Sequence, residues 1–331
     1  MIKYPPRLNL ANLPTPITRL EKISVATGID IRIKRDELTG TEVSGNKIRK
    51  LEFSLAAAQS EHCDTLITCG GIQSNHCRAT AILGTRLGFK VHLLLRGEKP
   101  ATPSGNLLLD YLSGATVTYM PQRQWHLHEK EVRRLQEEYR LNGQKAFYIP
   151  VGASDEIGLW GYIAASEELQ SDFAFMDWTP DYIVMATGSG GTQGGLTVGA
   201  QLLGMNSKVV AFNVCDDAAW FANKIREDVT LWQQRYQQQL DVDALKITTI
   251  EGYVGPGYGV AGPEVFDTIK HVAASEGVFL DPVYTAKAFH GMVTELGKGD
   301  AGAMPGAKRV LFVHTGGLFG IFPQQEQFSF D

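Results

Sequence analysis

The chain has 331 residues, 44% of them hydrophobic and 20% charged, a balance suited to one large core or two modest ones. A formal net charge of -5 with no long basic run excludes the phosphate-neutralising footprint of a nucleic-acid binder. No stretch approaches the ~20 apolar residues that span a bilayer, and Met1-Ile2-Lys3-Tyr4-Pro5-Pro6 has no apolar run of signal-peptide length, so a cytoplasmic protein without a membrane partner is expected. Cys63, Cys69, Cys77 and Cys215 form no C-x-x-C pair and no His/Cys/Asp/Glu cluster has metal spacing; reduced, mostly buried thiols and no metal are expected.

In chain order, residues 29–34 alternate like a half-buried strand, and 46–60 put Ile48, Leu51, Phe53, Leu55 and Ala58 at near-helical spacing. A short buried strand over 65–68 precedes a helix from about Ser74 to Leu87 that stops at Gly88. Strands at 91–95, 116–119 and 146–150 then alternate with a helix opening near Pro103, a charged helix over 127–141 and another over 156–170. After a polar break at Ser171-Asp172 and at 177–180, the strand 182–185 feeds a glycine-rich loop. Strands at 209–214 and 310–313 follow, with helices near 217–239, 262–276 and 284–297. Apolar runs alternating with helix-period segments predict an α/β chain with parallel strands and crossover helices. The expected layout is two open twisted sheets flanked by helices: residues 1–52 and 165–331 as a large domain, 53–164 as a small one, with a ligand between them.

Lys47 opens a predicted helix in Ser44-Gly45-Asn46-Lys47-Ile48-Arg49-Lys50. An amine there forms a Schiff base once it loses its proton, and partial burial near Arg49 and Lys50 favours that loss; a solvated surface lysine is the plain alternative. Lys50 falls on the same helical face and can approach a phosphate, or be an ordinary surface lysine. The loop 187–195 leaves a strand and opens a helix, so Gly188, Ser189, Gly190, Gly191 and Thr192 can turn backbone N–H groups and hydroxyls toward an anion. Gln193 stands where the third glycine of G-x-G-x-x-G belongs, which disfavours a nicotinamide-dependent oxidoreductase, and there is no P-loop lysine. A reactive lysine with a phosphate cradle matches pyridoxal 5'-phosphate, which carries an aldehyde at one end and a phosphate at the other.

Gly70-Gly71-Ile72-Gln73-Ser74-Asn75-His76 follows a strand and begins a helix, so Ser74 and Asn75 can receive a carboxylate, while Ser74 also reads as a helix N-cap. Tyr258 lies on the loop Gly255-Pro256-Gly257-Tyr258-Gly259, and Tyr284 and Thr285 at a helix start after Asp281; the phenols can orient substrate or move protons, or simply pack. His314-Thr315-Gly316-Gly317 ends a strand on the usual ligand side of an α/β sheet, with His314 itself reading as a satisfied core histidine.

Gly45-Asn46-Lys47, Gln73-Ser74-Asn75-His76, the loop 187–195, Pro256-Gly257-Tyr258-Gly259, the segment 281–285 and His314-Thr315-Gly316-Gly317 occur in the order seen in the D-cysteine desulfhydrase and 1-aminocyclopropane-1-carboxylate deaminase family. The chain resembles these fold-type-II, tryptophan-synthase-β-like pyridoxal phosphate enzymes from Leu8 to about Phe322. The resemblance implies that Lys47 carries the imine and later moves the Cα proton, that Asn75 bonds the ring oxygen, and that residues 188–192 hold the phosphate. It implies Ser74 at the substrate carboxylate, Tyr284 stacked at the ring, Tyr258 facing substrate, and a homodimer.

Ring-opening deaminases resemble one another in a glutamate after the motif tyrosine and a leucine in His-x-Gly-Gly; here Thr285 and Thr315 stand there. A threonine hydroxyl leaves the pyridine nitrogen nearer neutral than a glutamate does, and a neutral ring suits β-elimination. The expected substrate is a small amino acid, D-cysteine first, giving pyruvate, ammonia and hydrogen sulfide; L-cysteate and 1-aminocyclopropane-1-carboxylate are the alternatives. Leu318, Phe319 and Ile321, with the loop Cys215-Asp216-Asp217-Ala218-Ala219-Trp220, depart from the relatives and are expected to narrow or recharge the pocket, the acidic loop disfavouring a sulfonate.

Overall fold

A computed structural model describes residues 2–330. In chain order its elements are β1 (Ile17–Arg19), α1 (Glu21–Thr27), β2 (Asp30–Lys34), α2 (Lys47–Ser60), β3 (Thr65–Gly71), α3 (Asn75–Arg86), β4 (Lys90–Arg96), α4 (Gly105–Leu112) and β5 (Thr116–Met120). They continue with α5 (His128–Leu141), β6 (Ala146–Ile149), α6 (Leu159–Phe175), β7 (Tyr182–Thr187), α7 (Gly191–Leu202), β8 (Lys208–Asn213) and α8 (Ala218–Tyr236). The last are β9 (Thr248–Ile250), α9 (Pro263–Glu276), α10 (Thr285–Gly297) and β10 (Arg309–Val313).

These strands make two sheets, one six-stranded in the order β1-β2-β10-β7-β8-β9 and one four-stranded in the order β5-β4-β3-β6. Every pairing is parallel except that of β1 with β2. All six residues of β7 are buried, as a central strand covered on both faces requires. The expected α/β architecture with two helix-flanked sheets is the one observed.

α2 is a single helix through residue 52, and α6 is a single helix through residue 164, so both expected domain boundaries fall inside continuous helices. Ile48, Leu51, Leu55 and Ala58 of α2 belong to the core beneath the four-stranded sheet, whereas Phe53 packs with Trp160 and Ile163 of α6. The helix is therefore buried on several sides rather than amphipathic.

Ser171-Asp172 does not break the chain as expected; α6 runs through it. Phe173 is buried in one cluster with Trp178, and the Asp172 carboxylate accepts from Lys34 Nζ at 2.6 Å, so tertiary partners hold two residues that read locally as a turn. β1 and β9 have three residues each, too few to show a period, and went unexpected along with α1.

The four cysteines are free, with Cys69 and Cys77 buried. Among the described residues no group of three or more His, Cys, Asp or Glu side chains could hold a metal ion, and no helix is long and apolar enough to cross a membrane.

Candidate active site

A cavity of ≈ 640 Å³ opens where the carboxyl ends of β3, β6, β7 and β10 meet the start of α2. Lys47 is the first residue of α2, and the turn before it is set by close backbone contact. Gly45 (φ 109°) and Gly316 (φ 90°) touch: a Cβ on Gly316 would stand 2.7 Å from Gly45 Cα, and one on Gly45 would stand 2.6 Å from the Thr315 carbonyl oxygen. Only glycine fits at both places. Asn46 N–H then donates to that carbonyl at 3.1 Å, and its side-chain amide donates to Thr192 Oγ1 at 2.9 Å, tying the lysine turn to two other loops.

Lys47 lines the cavity, and burial lowers its ammonium pKa from 10.5 to about 8, close enough to neutrality for the free amine to be populated. Lys50 is fully buried behind the wall; burial first, then the neighbouring Lys47 charge, push its pKa well below the usual range. Its Nζ donates to Ser154 Oγ at 3.1 Å.

The anion cradle is built around Ser154. Its hydroxyl lies 2.8 Å from Ser189 Oγ and accepts from the Gly191 N–H at 3.2 Å, where α7 begins after Gly190 in a left-handed conformation. A Cβ on Gly152 would stand 2.4 Å from Ser189 Oγ and 3.4 Å from Lys47 Nζ, and a Cβ on Gly191 would stand 3.0 Å from Lys50 Nζ. The glycines keep this space clear beside two buried lysines and the positive end of a helix, with no carboxylate among the described residues bonded to either amine. An amine that can form an imine and a cradle for a dianion, this close together, fit pyridoxal phosphate.

Ser74 lines the cavity and caps α3, its Oγ accepting from the Cys77 N–H at 3.1 Å, so both sequence readings of that residue coexist. Asn75 Oδ1 accepts from Arg78 Nη1 at 3.2 Å and Asn106 Nδ2 at 3.0 Å. With its oxygen satisfied, the Asn75 amide is left with its N–H donors for the cavity, the polarity that a ring oxygen requires. Arg78 also donates to the Ser44 carbonyl at 2.7 Å, linking Asn75 to the turn that carries Lys47.

His76, also on the wall, has a defined tautomer. The Thr68 hydroxyl donates to the Ile149 carbonyl at 2.7 Å, so it must accept from His76 Nε2, 2.8 Å away. Nδ1 is then an unprotonated acceptor, buried and without a partner among the described residues, and burial keeps the ring neutral.

Tyr258 and Tyr284 line the opposite wall, their hydroxyls joined by a short hydrogen bond and their rings edge to face at 6.0 Å. Burial raises the pKa of both, so each remains a phenol. Tyr284 lies against Gly188, where a Cβ would stand 3.1 Å from its Cε1. Lys287, which the sequence gave no reason to single out, donates to the carbonyls of Val254, Gly257 and Val260 at 2.6, 2.9 and 2.7 Å and so pins the loop that carries Tyr258.

The structure thus gathers Lys47, Ser74, Asn75, Gly188, Ser189, Gly190, Thr192, Tyr258, Tyr284 and Thr315 around one cavity, with Gly191 and Lys50 directly behind its lining. Thr285 is the exception. Its hydroxyl accepts from the Asp281 N–H and donates to Asp281 Oδ1, both at 2.7 Å, and the residue is fully buried away from the cavity. The expected contact of Thr285 with a ring nitrogen is therefore corrected; Thr315 is the threonine on the wall.

His314 is satisfied, its Nε2 donating to the Phe279 carbonyl at 2.9 Å and its Nδ1 accepting from the Gly316 N–H at 3.1 Å. Leu318, Phe319 and Ile321 do not line the cavity, so they do not narrow it as expected; Phe319 lies under Arg78 at 4.8 Å. Cys215, Asp216 and Trp220 do reach the cavity. Arg49 faces away from Lys47, bonded to Asp36 and Glu168, and is not the neighbouring cation that the sequence suggested.

The sequence order, the paired parallel sheets and a lysine beside a phosphate cradle define a pyridoxal phosphate enzyme of the two-sheet class. Residues 8–316 match the family model described as pyridoxal-phosphate dependent enzyme. The chain belongs to that family. It is 40% identical to the mitochondrial bifunctional D-cysteine desulfhydrase/1-aminocyclopropane-1-carboxylate deaminase of Arabidopsis thaliana, over 97% of this chain and 80% of that protein. It is 34% identical to the D-cysteine desulfhydrase of Serratia proteamaculans, over 96% and 97% of the two chains. A crystal structure of an ACC deaminase homologue superposes with a TM-score of 0.88 at 34% identity, covering 97% of this chain and 95% of that one.

Proposed function

We propose that this enzyme catalyses β-elimination on D-cysteine, releasing hydrogen sulfide and, after hydrolysis, pyruvate and ammonia. The observation that carries this reading is the pair of threonines at 285 and 315. Thr315 offers a hydroxyl at the cavity wall, and Thr285 spends its own on Asp281, so neither position supplies the carboxylate that would hold a pyridine nitrogen protonated. Elimination tolerates a neutral ring because the departing sulfur carries off the electron pair, whereas opening a cyclopropane has no such leaving group.

When bound, pyridoxal phosphate supplies the electron sink that acidifies the substrate Cα–H bond. Ser74 and the start of α3 then bind the carboxylate, and the Asn75 amide donates toward the ring oxygen. Lys47, freed as an amine, removes the Cα proton; the Cβ–S bond breaks and its electrons leave with sulfur as hydrosulfide. The Tyr258–Tyr284 pair orients the substrate and holds a shared proton at its hydroxyls. The released enamine takes up water to give pyruvate and ammonia. The relatives' printed activities, D-cysteine desulfhydrase and 1-aminocyclopropane-1-carboxylate deaminase, support this reaction class.

The test is a product assay with D-cysteine, L-cysteine, L-cysteate, β-chloro-D-alanine and 1-aminocyclopropane-1-carboxylate. Equimolar sulfide and pyruvate from D-cysteine are expected. Ammonia from the cyclopropane substrate with no sulfide from D-cysteine would overturn the proposal.

A further inference from the structure

Arg96 ends β4 directly beside Gly71 of β3, and its side chain lines the cavity. The guanidinium lies 5.0 Å from the ring centroid of Tyr258 and 5.5 Å from that of Trp125. Among the described residues two other lysine or arginine side chains line the cavity, Lys47 and Lys224. Burial brings Lys47 toward its neutral form, and Lys224 is spent on Asp228 and the Ser154 carbonyl. Arg96 has aromatic neighbours instead, and among the described residues no carboxylate lies within salt-bridge distance of it. A guanidinium cannot shed its charge, so this one stands as a fixed positive centre with donors to offer.

Its aromatic neighbours place it on the Tyr258 side of the cavity. Tyr258 packs on Gly71, where a Cβ would stand 3.8 Å from its Cε1, and Arg96 lies over the ring of Tyr258. Asp216 also lines the cavity, but the Asp217 carboxylate is turned to cap α8, accepting from the Trp220 N–H at 2.7 Å. The loop 215–220 is thus less acidic toward the cavity than its sequence suggests.

We propose that Arg96 determines specificity by reading negative charge at the substrate's β-substituent, either the fixed charge of a sulfonate or the charge that develops on sulfur as a thiol departs. The proposal rests on the elimination reading above. In that reaction the Cα proton passes to Lys47 and the Cβ–S electron pair stays with sulfur, leaving as hydrosulfide from a thiol or as sulfite from a sulfonate. In both cases charge grows where the guanidinium waits.

The experiment uses the holoenzyme and its Arg96→Gln variant. Binding of D- and L-cysteate, and of D- and L-alanine as ligands with the same carboxylate and no β-substituent, is followed through the visible band of the cofactor. The variant should lose at least about 10-fold in affinity for the preferred hand of cysteate and less than about 2-fold for alanine of that hand. An equal loss for both would put Arg96 at the carboxylate and overturn the proposal, as would no loss for either. Pyruvate release by the unmodified enzyme from D-cysteine and β-chloro-D-alanine is measured in parallel. Its absence sinks the elimination reading, while its presence with unselective binding sinks only the role of Arg96.

Discussion

Arg49 and Lys50 are adjacent on α2 and buried to the same degree, 1% and 0% exposed, yet the helix turns them toward opposite electrostatic surroundings. Arg49 donates to Asp36 at 2.9 and 2.8 Å and to Glu168 at 2.9 Å, within a network that includes Lys34 and the Tyr162 hydroxyl. Burial alone would depress the Arg49 pKa, but the two carboxylates outweigh it and hold the guanidinium well above its ordinary range. Glu168 is drawn down in turn to about 2, Arg49 and Lys34 overcoming the upward push of burial. Lys50, with Lys47 one turn earlier, has a serine hydroxyl and, among the described residues, no bonded carboxylate, and both amines are pushed toward neutrality. A buried cation whose anion is built into the chain stabilises the fold. A buried cation whose anion is missing from the chain marks where a ligand supplies it.

The largest effect is expected at Lys47. Lys47→Ala should remove the visible cofactor band and lower turnover by about 10³-fold or more, because Lys224, the other lysine lining the cavity, is held by Asp228 and the Ser154 carbonyl. Persisting colour and activity would put the reactive amine elsewhere.

On the structural side, Arg49→Met leaves Asp36 and part of Glu168 buried without their counter-charge. It should cost about 3–5 kcal/mol of unfolding free energy in urea titrations. A loss below about 1 kcal/mol would show that the network does not depend on the guanidinium.

The opposite sign is expected for the unpaired amines. In the folded apoprotein Lys47 titrates near 8 rather than 10.5, so below pH 8 the buried charge carries its full cost. Between those pH values the unfolded chain binds a proton that the folded chain lacks, and stability rises with pH. Lys47→Met apoprotein should therefore exceed the unsubstituted apoprotein by roughly 3 kcal/mol at pH 7, a gap that closes as pH approaches 10.5. A gap independent of pH would contradict the lowered pKa.

The smallest effect is expected at Lys50. Lys50→Met should abolish the rise of about 5 °C in melting temperature that saturating inorganic phosphate or pyridoxal phosphate confers. Undiminished protection by both anions would show that Lys50 is not their counter-charge.

Much of this site was legible because its signals are local. A strand running into a glycine-rich loop and then a helix announces an anion site at 188–192, and Ser74 sits between a strand and a helix in the same way. Lys47 was legible only in company with the cradle. What escaped depends on partners far along the chain. Ser154 joins Lys50 to Ser189, Arg78 and Asn106 orient Asn75, and Lys287 holds the Tyr258 loop. Arg96 ended an apolar run and gave no sign of facing the cavity, although the parallel register of β3 and β4 sets it beside Gly71. Thr285 shows the reverse failure: its place after Tyr284 pointed to the ligand, but a capping carboxylate two residues before that tyrosine's neighbour Val283 claims its hydroxyl. α6 ran past a polar pair for the same reason, a long-range partner overriding a local turn signal.

On the proposal above, the Lys47 amine holds the cofactor aldehyde while the turn at 188–192 holds its phosphate. Borohydride reduction of the holoenzyme followed by peptide mass mapping tests it directly. One pyridoxyl-phosphate adduct is expected, on the peptide bearing Lys47, and none on Lys50. An adduct confined to any other lysine would contradict it.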